Sequence, residues 1–384
     1  MKSQFDITIV GGGIAGLTMA ALLAKGRQAD ALNITVIDAA ERPEFSANDE
    51  VSLRVSAIAN GSAELLESVG AWSAIQHARV SPYESMCVWD EDDLPDSSTS
   101  LRFDASEFAV AQLGFISENV LLQHALLQVL DECRVELQFA SKIESLPEVD
   151  LLIGADGARS LVRELVGIKS RQWPYQQTAV VTHLTTQRPH KATARQRFLR
   201  DGPLGMLPLA DGRISVVWST TPDIAQRALA ASDDELGRML TEASDAVLGQ
   251  LTVAGSKGAF PLCAQHAEDY VLPGVALIGD AAHAIHPLAG QGANLGLQDA
   301  AELARVVETA IEAGLHPGDR PVLRRFERRR KGANLTMLHF MTGLNRLFSS
   351  DSAVLSEVRT AGMGLFNRSG PIRERAVRVA LGVR

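Results

Sequence analysis

The N-terminal segment alternates apolar runs with a glycine-rich turn, a pattern that predicts a βαβ unit. We expect a strand from Phe5 to Val10, a turn over Gly11 to Gly16, a helix from Leu17 to Ala24 and a second strand from Ile34 to Ile37. A strand, a glycine turn and a helix in this order are typical of a dinucleotide-binding fold.

Three glycines of this turn have mechanical reasons to be glycine. Gly11 permits a tight turn, Gly13 lets a pyrophosphate approach the backbone, and Gly16 lets the helix pack closely on the strand. Asp38 lies 22 residues beyond Gly16, where a carboxylate can bind a ribose hydroxyl of an adenosine half. Since this fingerprint suits an NAD enzyme almost as well as a flavoprotein, it predicts the fold more firmly than the cofactor.

Further along the chain, the hydrophobic pattern changes from mixed to β-rich. We expect a helix from Asn119 to Leu130 and a short buried strand from Val149 to Ile153, followed by Gly154-Ala155-Asp156-Gly157. The region from Thr178 to Trp218 has strand and turn signals that predict a second, sheet-based domain. The acidic stretch from Asp90 to Glu107 is predicted to be a surface loop.

A second candidate cofactor segment follows the apolar run Val275 to Ile278. Asp280 would stand at the end of this strand, where its carboxylate can accept hydrogen bonds from a sugar-alcohol hydroxyl. After Pro287, small residues lead into a helix that continues through Leu303, and its free N–H groups would stabilise negative charge on a reduced flavin ring. The small residues Ala289, Gly290, Gly292 and Ala293 keep the backbone there bare, so the helix start can face a flat ring.

Composition narrows the class of protein. A chain of 384 residues with 46% hydrophobic residues is long enough for two joined globular domains. Cys87, Cys133 and Cys263 lack metal-ligand spacing, so we expect reduced thiols and no metal site. No stretch reaches the roughly 18 apolar residues of a membrane span, and a cytoplasmic location is expected.

Charge is distributed unevenly along the chain. The net charge is −9, yet residues 320–384 contain 14 Lys and Arg against 4 Asp and Glu. This basic, partly apolar segment suits either an anionic membrane surface or a partner protein, or else an ordinary core-packing helix with solvated arginines. Because the chain as a whole is acidic and has no recognition motif, nucleic-acid binding is not expected.

Three motifs in order resemble the single-component FAD-dependent aromatic hydroxylases. They are Gly11-x-Gly13-x-x-Gly16, Gly154-Ala155-Asp156-Gly157 with Arg163 shortly after, and Gly279-Asp280 followed by Pro287. Four further segments are similar to the ubiquinone-biosynthesis hydroxylase branch of that family. They are Leu53-Arg54-Val55-Ser56-Ala57-Ile58, Ser117-Glu118-Asn119, Phe260-Pro261-Leu262 and the run from His283 to Gly296.

The resemblance implies an enzyme that binds FAD, is reduced transiently by NADPH or NADH, and hydroxylates a polyprenylated phenol or benzoquinol of ubiquinone biosynthesis. It implies that Asp156 lies near the pyrophosphate, that Asp280 meets the ribitol, and that the Gly290 to Asn294 backbone approaches the flavin ring. One departure is visible, because relatives usually carry a β-hairpin between the positions of Ser141 and Gly154 that is missing here. We therefore expect a trimmed edge of the cofactor domain.

The implied fold is α/β (α+β), with a Rossmann-type FAD-binding domain interleaved with a β-sheet substrate domain and followed by a C-terminal helical region. The FAD-binding domain is assigned to residues 1–75, 110–170 and 265–320. The substrate domain is assigned to residues 76–109 and 171–264, and the C-terminal helical segment to 321–384.

Two side chains keep alternative roles. Arg54 either forms an ion pair at an interface or faces FAD or substrate, and the resemblance favours the second role. His286, the weak candidate for a catalytic residue, either polarises a substrate phenol or the flavin edge, or fixes the turn before Pro287. His283 and His286 are predicted to be flavin-side scaffolding rather than a metal pair.

Alternative functions and partners also stay open. The chain could hydroxylate a small soluble aromatic compound, or it could be a non-catalytic flavin-fold scaffold in a biosynthetic complex. Other ubiquinone-biosynthesis proteins are candidate partners. The C-terminal segment is the candidate for peripheral contact with the inner face of the membrane.

Overall fold

A computed structural model describes residues 4–286, 291–348, 362–367 and 369–382. The strands are β1 Phe5–Val10, β2 Leu32–Ile37, β3 Val55–Ala59, β4 Ser81–Tyr83, β5 Ser85–Asp90, β6 Leu101–Asp104, β7 Gly114–Glu118, β8 Val135–Gln138, β9 Leu151–Gly154, β10 Ser170–Thr186, β11 Thr193–Leu199, β12 Gly202–Pro208, β13 Ile214–Thr220, β14 Leu251–Ala267, β15 Val271–Leu272, β16 Val275–Leu277 and β17 His283–Ala284. The helices are α1 Ile14–Ala24, α2 Asn60–Ser68, α3 Trp72–His77, α4 Asn119–Asp131, α5 Leu161–Leu165, α6 Pro222–Ala230, α7 Asp233–Ala243, α8 Gln291–Glu312, α9 Arg320–Phe348, α10 residues 362–367 and α11 Pro371–Leu381.

The first sheet has six strands in the order β15-β16-β9-β1-β2-β8. Every neighbouring pair from β16 to β8 is parallel, and only β15 runs antiparallel at one edge. Helices α1 and α8 pack on each other, and residues of β1, β9, α1 and α8 share one buried apolar core. This sheet confirms the predicted Rossmann-type α/β fold, and β1 has the predicted bounds.

The second sheet has eight strands in the order β17-β14-β10-β13-β12-β11-β5-β6. Its two longest strands, β10 and β14, each have 17 residues and pair antiparallel. Helices α6 and α7 cover one face, where Trp218 and Met206 lie in the core. Strands β3, β7 and β4 form a third sheet in that order. The chain passes repeatedly between the sheets: β16 belongs to the first sheet, whereas β17, which follows it, pairs with β14 of the second. The boundaries assigned to the FAD-binding and substrate domains remain a prediction.

The prediction of a surface loop from Asp90 to Glu107 is wrong in part. β6 pairs antiparallel with β5, and Asp90 is buried at the end of β5. Asp104 and Glu107 form a capping box around a short 3-10 turn. Carboxylates that cap a turn produce the same acidic sequence pattern as solvated ones, so the pattern did not distinguish the two structures.

The remaining predicted elements occur with shifted ends. α8 extends to Glu312, beyond the expected Leu303, and the basic C-terminal segment contains the long helix α9. The described chain between β8 and β9 forms no strand, which leaves β8 as an edge of the first sheet. Within the described ranges, no helix combines the length and apolarity needed to cross a bilayer.

Candidate active site

The predicted cofactor segments meet where the parallel strands β1, β9 and β16 end. A Cβ atom on Gly11 would lie 2.2 Å from the carbonyl oxygen of Ala155, so the glycine turn and the Asp156 loop touch. The Ile278 N–H donates to the Gly154 carbonyl over 2.9 Å and carries the next segment to the same edge. Ligands of open α/β sheets bind at this carboxyl edge.

The glycine turn is closed on one side and open on the other. Gly11 has φ +115°, and a Cβ on Gly16 would lie 1.9 Å from the Gly11 carbonyl oxygen, so both positions require glycine. A Cβ on Gly13, in contrast, would meet no atom within 4 Å. α1 begins directly after Gly13 with no side-chain cap and no acidic residue in its first turn, which suits a pyrophosphate.

Asp38 follows β2 and lies beside the same turn. Its carboxylate accepts hydrogen bonds from the Gly12 N–H and, over 2.7 Å, from the Ala40 N–H. The side chain is half-buried, so it keeps a solvent-facing side. This position agrees with a ribose-binding carboxylate and leaves that role as a prediction.

Asp156 uses both carboxylate oxygens within its own loop. One accepts from the Ser160 hydroxyl over 2.5 Å and the other from the Val162 N–H over 3.0 Å, which caps α5. Arg163 of α5 then donates to the Ala281 carbonyl over 2.8 Å. Asp156 therefore orders the loop and connects it to the turn that contains Asp280.

Asp280 has a different environment. Its side chain is exposed to solvent, yet the protein around it raises the pKa of its carboxyl above the usual value. The nearby charges of His283 and Arg54 oppose that rise. Arg54 is itself exposed and lies near enough to act on the Asp280 carboxyl, and we call the solvent-accessible space beside these two residues the cleft.

The start of α8 is fixed against β3 by Asn294. The Asn294 amide donates to the Ala57 carbonyl over 2.8 Å and accepts from the Ala59 N–H over 2.9 Å, with 2% of the residue exposed. Its side chain is therefore occupied, and a cofactor contact at this residue would involve the backbone. A Cβ on Gly292 would meet nothing within 4 Å.

Three predicted site residues lie wholly or partly outside the described structure. Pro287 and Gly290 lie outside the described residues, and for Gln291 only the helical backbone is described. Ala293, on the first turn of α8, is half-buried and packs against the core of the first sheet.

His286 is buried, with 1% of its surface exposed. Its Nε2 lies 3.1 Å from the Gln177 side-chain oxygen, and its ring packs edge-on against Tyr175 at 4.8 Å between centroids. Burial lowers the pKa of His286 to about 4, so the ring is neutral at physiological pH. These contacts favour a role in fixing the chain before Pro287, and they do not test a catalytic one.

Sequence analysis missed the partner of His283. His283 Nε2 lies 2.5 Å from a carboxylate oxygen of Asp299 on α8, and the other oxygen accepts from Arg330 and Asn334 of α9. Asp299 lies in the buried stripe of α8 with Leu295 and Leu303. A charged residue within an apolar helical stripe was the available signal. His283 and His286 thus have separate partners.

The face of the second sheet opposite α6 and α7 contacts the segment that contains Leu53 and Arg54. A Cβ on Gly258 would lie 2.8 Å from the Leu53 side chain and 3.7 Å from the Phe260 ring, so these groups are neighbours. Phe260 is 42% exposed, which is high for a phenylalanine on a strand. The segment with Leu53 and Arg54 therefore lies between the sheet and the cofactor segments.

Two family models match the chain. Residues 9–59 match an NAD(P)-binding Rossmann-like domain, and residues 144–331 match an FAD binding domain. The 3-demethoxyubiquinol 3-hydroxylase of Escherichia coli is 34% identical over 395 residues, which cover 98% of each chain. The mitochondrial ubiquinone biosynthesis monooxygenase COQ6 of Homo sapiens is 33% identical, covering 98% of this chain and 92% of its own.

Solved structures agree on the fold. The crystal structure of p-nitrophenol 4-monooxygenase PnpA from Pseudomonas putida superposes with a TM-score of 0.76 at 19% identity and covers 100% of both chains. At this identity the likeness shows the arrangement of the sheets and helices and nothing about the substrate.

Proposed function

Because this chain belongs to the ubiquinone-biosynthesis hydroxylase family of FAD-dependent aromatic monooxygenases, we propose that it hydroxylates the ring of a polyprenylated phenol or benzoquinol. FAD is its cofactor, NADPH or NADH its reductant, and O₂ the source of the added oxygen. The observation that supports the substrate class best is the match to the E. coli hydroxylase over 98% of both chains. A match of this extent includes the cofactor segments and the substrate-facing sheet together.

The residues present fit FAD. The open side of Gly13 and the uncapped start of α1 suit the pyrophosphate, Asp38 the adenosine ribose, and Asp280 the ribitol. The segment from Gly290 to Asn294, which follows Pro287 in sequence, is proposed to face the flavin ring with its backbone. When bound, FAD supplies the oxygen and hydride chemistry, while the chain binds, orients and shields.

The role of the chain in catalysis is mainly positioning. Asn294 fixes the start of α8 to β3, so the N–H groups of the first α8 turn keep a constant direction. The positive end of the helix dipole stabilises negative charge placed before it. Leu53 and Phe260 offer an apolar surface for an aromatic ring on the other side of the cleft, which excludes water from the reacting atoms.

The hydroxylase proposal is tested with purified protein and a short-chain prenylated phenol in detergent. We expect a yellow protein whose NADPH or NADH oxidation rises on adding the phenol, and a product with one added oxygen atom by mass spectrometry. A protein that binds no FAD would contradict the enzyme proposal. Turnover that responds only to small soluble aromatic acids would contradict the substrate class.

We also propose that α9 brings the enzyme to an anionic membrane surface, where a prenylated substrate resides. Arg324, Arg325, Arg328 and Arg329 are exposed on its first half, and Phe340 is 57% exposed on its second. Arg324 and Arg329 have acidic neighbours in Glu327 and Glu302, at 3.9 and 3.2 Å. An exposed basic patch with an aromatic side chain suits an anionic headgroup layer.

The membrane proposal is tested by co-sedimentation with vesicles that contain phosphatidylglycerol. Replacing Arg325 and Arg328 with Gln should weaken binding roughly thirtyfold, at about 1 kcal/mol for each basic residue near the surface. Each single variant, Arg325→Gln or Arg328→Gln, is compared with Arg171→Gln, which removes one exposed charge from β10 and is therefore the charge-matched control. Equal binding of all variants, or binding to partner proteins alone, would contradict the proposal.

A further inference from the structure

A buried polar cluster connects α9 to the turn that contains Asp280. Its centre is Asp299, which has no exposed surface. One carboxylate oxygen of Asp299 accepts from the Gly279 N–H over 3.1 Å and lies 2.5 Å from His283 Nε2. The other accepts from Arg330 Nε over 2.7 Å and from the Asn334 amide over 3.0 Å. We call Gly279, His283, Asp299, Arg330 and Asn334 the Asp299 cluster.

The Asp299 cluster is held ionised and well satisfied. Burial by itself would raise the pKa of the Asp299 carboxyl, but His283 and Arg330 hold it below its usual value. Arg330 in turn donates to the Asn334 side-chain oxygen over 2.8 Å and to the Gln298 side chain over 3.1 Å. A buried carboxylate with four donors has one preferred geometry, because any movement weakens hydrogen bonds that water cannot replace.

The Asp299 cluster fixes the backbone from which Asp280 projects. Gly279 has φ +57°, in the left-handed region, and a Cβ there would lie 3.3 Å from the Ala15 side chain at the start of α1. Its N–H is held by Asp299, and His283, four residues on, is held by the same oxygen. The turn from Gly279 to His283 is therefore anchored at both ends, with the solvent-exposed Asp280 between the anchors.

We propose that Asp299 is a positioning residue for FAD, which sets the direction of Asp280 through Gly279 and His283 and is itself held by Arg330 of α9. This inference rests on the proposed FAD-dependent function, because Asp280 is assigned there to the ribitol chain. Asp299 has no exposed surface, so it acts through the turn and does not touch the cofactor.

The test measures FAD affinity of the apoprotein by titration, using the quenching of flavin fluorescence. Asp299→Asn should weaken FAD binding at least tenfold in the folded protein and change the visible circular dichroism of the bound flavin. Arg330→Gln should weaken binding less, and Arg330→Lys should restore part of the loss by returning the charge. Arg329→Gln, one residue away on α9 and exposed, should leave the affinity within twofold of wild type.

A purely structural role for Asp299 gives a different result. In that case the variants would lower the thermal midpoint of the apoprotein, while the folded fraction would bind FAD with wild-type affinity and an unchanged flavin spectrum, and this outcome would overturn the inference. If Asp299→Asn does not fold, Asn334→Ala decides, since it removes one donor and leaves the Asp299–Arg330 pair; an affinity within twofold of wild type would again overturn it. If the wild-type protein itself binds no FAD, the proposed function fails first.

Discussion

Asp156 and Asp280 follow neighbouring parallel strands, β9 and β16, and both belong to motifs that resemble cofactor-binding sequences, yet their surroundings are opposite. Asp156 accepts from Ser160 and Val162 and has both oxygens engaged inside its own loop. Asp280 is exposed to the cleft, and its pKa is raised by the protein around it. Two carboxylates in similar motifs therefore differ, because Asp156 orders its own loop whereas Asp280 faces solvent.

His286 extends the comparison along the Asp280 segment. The two lie only six positions apart in sequence, but His286 is 1% exposed and its pKa is lowered to about 4. One end of this short segment is thus open to the cleft and the other is sealed against Gln177 and Tyr175. Stability and ligand binding should respond differently to changes at the two ends.

Asp280→Asn should have the largest effect, on FAD affinity. Loss of a charge-assisted hydrogen bond to the ribitol costs about 1.5–3 kcal/mol, which raises the dissociation constant of FAD roughly tenfold to hundredfold. The apoprotein should be as stable as wild type or slightly more stable near neutral pH, because a raised pKa means that ionised Asp280 is disfavoured in the folded state. Flavin fluorescence and thermal unfolding of the apoprotein measure the two effects. An Asn variant with wild-type FAD affinity would show that Asp280 does not bind FAD.

Acid should act on the sealed end of the segment. The folded protein holds His286 neutral down to about pH 4, while the unfolded chain binds a proton near pH 6.5, so the unfolded state takes up protons first as the pH falls. This single group should lower the free energy of unfolding by about 2 kcal/mol between pH 7 and pH 5. Urea unfolding at several pH values measures the slope. Burial also lowers the pKa of His266 to about 4, so His266 should contribute a similar share of the slope, and His286→Gln should reduce the slope without removing it. An unchanged slope in that variant would show that His286 does not contribute.

The parts of the fold that depend on local pattern were predictable. The bounds of β1, the glycines of the first turn and the position of Asp38 follow from alternation and spacing, which act over a few residues. The hydrogen bonds of Asp156 were not predictable. Its partners are a hydroxyl and a backbone N–H that come within reach as donors only once α5 forms.

The Asp299 cluster shows the same limit over a longer distance. Gly279, Asp299 and Arg330 are far apart in sequence, and only the packing of α8 on α9 brings them together. A carboxylate in an apolar helical stripe indicates that buried hydrogen-bond or ion-pair partners exist, but it does not identify them. Tertiary pairs of this kind need the fold, whereas a glycine fingerprint needs only the sequence.

Asp156→Asn should lower stability by a smaller amount. The amide oxygen can still accept from the Val162 N–H, but the amide nitrogen replaces the oxygen that accepts from the Ser160 hydroxyl, so that hydrogen bond is reversed and loses its charge assistance, at a cost of about 1 kcal/mol. We expect a lower thermal midpoint of the apoprotein and an FAD dissociation constant within about threefold of wild type. Differential scanning calorimetry and FAD titration measure both. If FAD affinity fell as far as in Asp280→Asn, the contrast between the two aspartates would be wrong.

Arg54→Gln should have the smallest effect and refines the environment of Asp280. Arg54 is exposed, so water screens its interaction with Asp280, and its loss should weaken FAD binding only a few-fold, by less than about 1 kcal/mol. The direction is fixed by charge, because removing the cation lets the pKa of the Asp280 carboxyl rise further and favours its protonated form. FAD affinity of the variant should therefore decline more steeply than that of wild type as the pH is lowered, and added salt should reduce the difference between them. Parallel pH profiles for the two proteins would mean that Arg54 acts on the substrate side of the cleft instead.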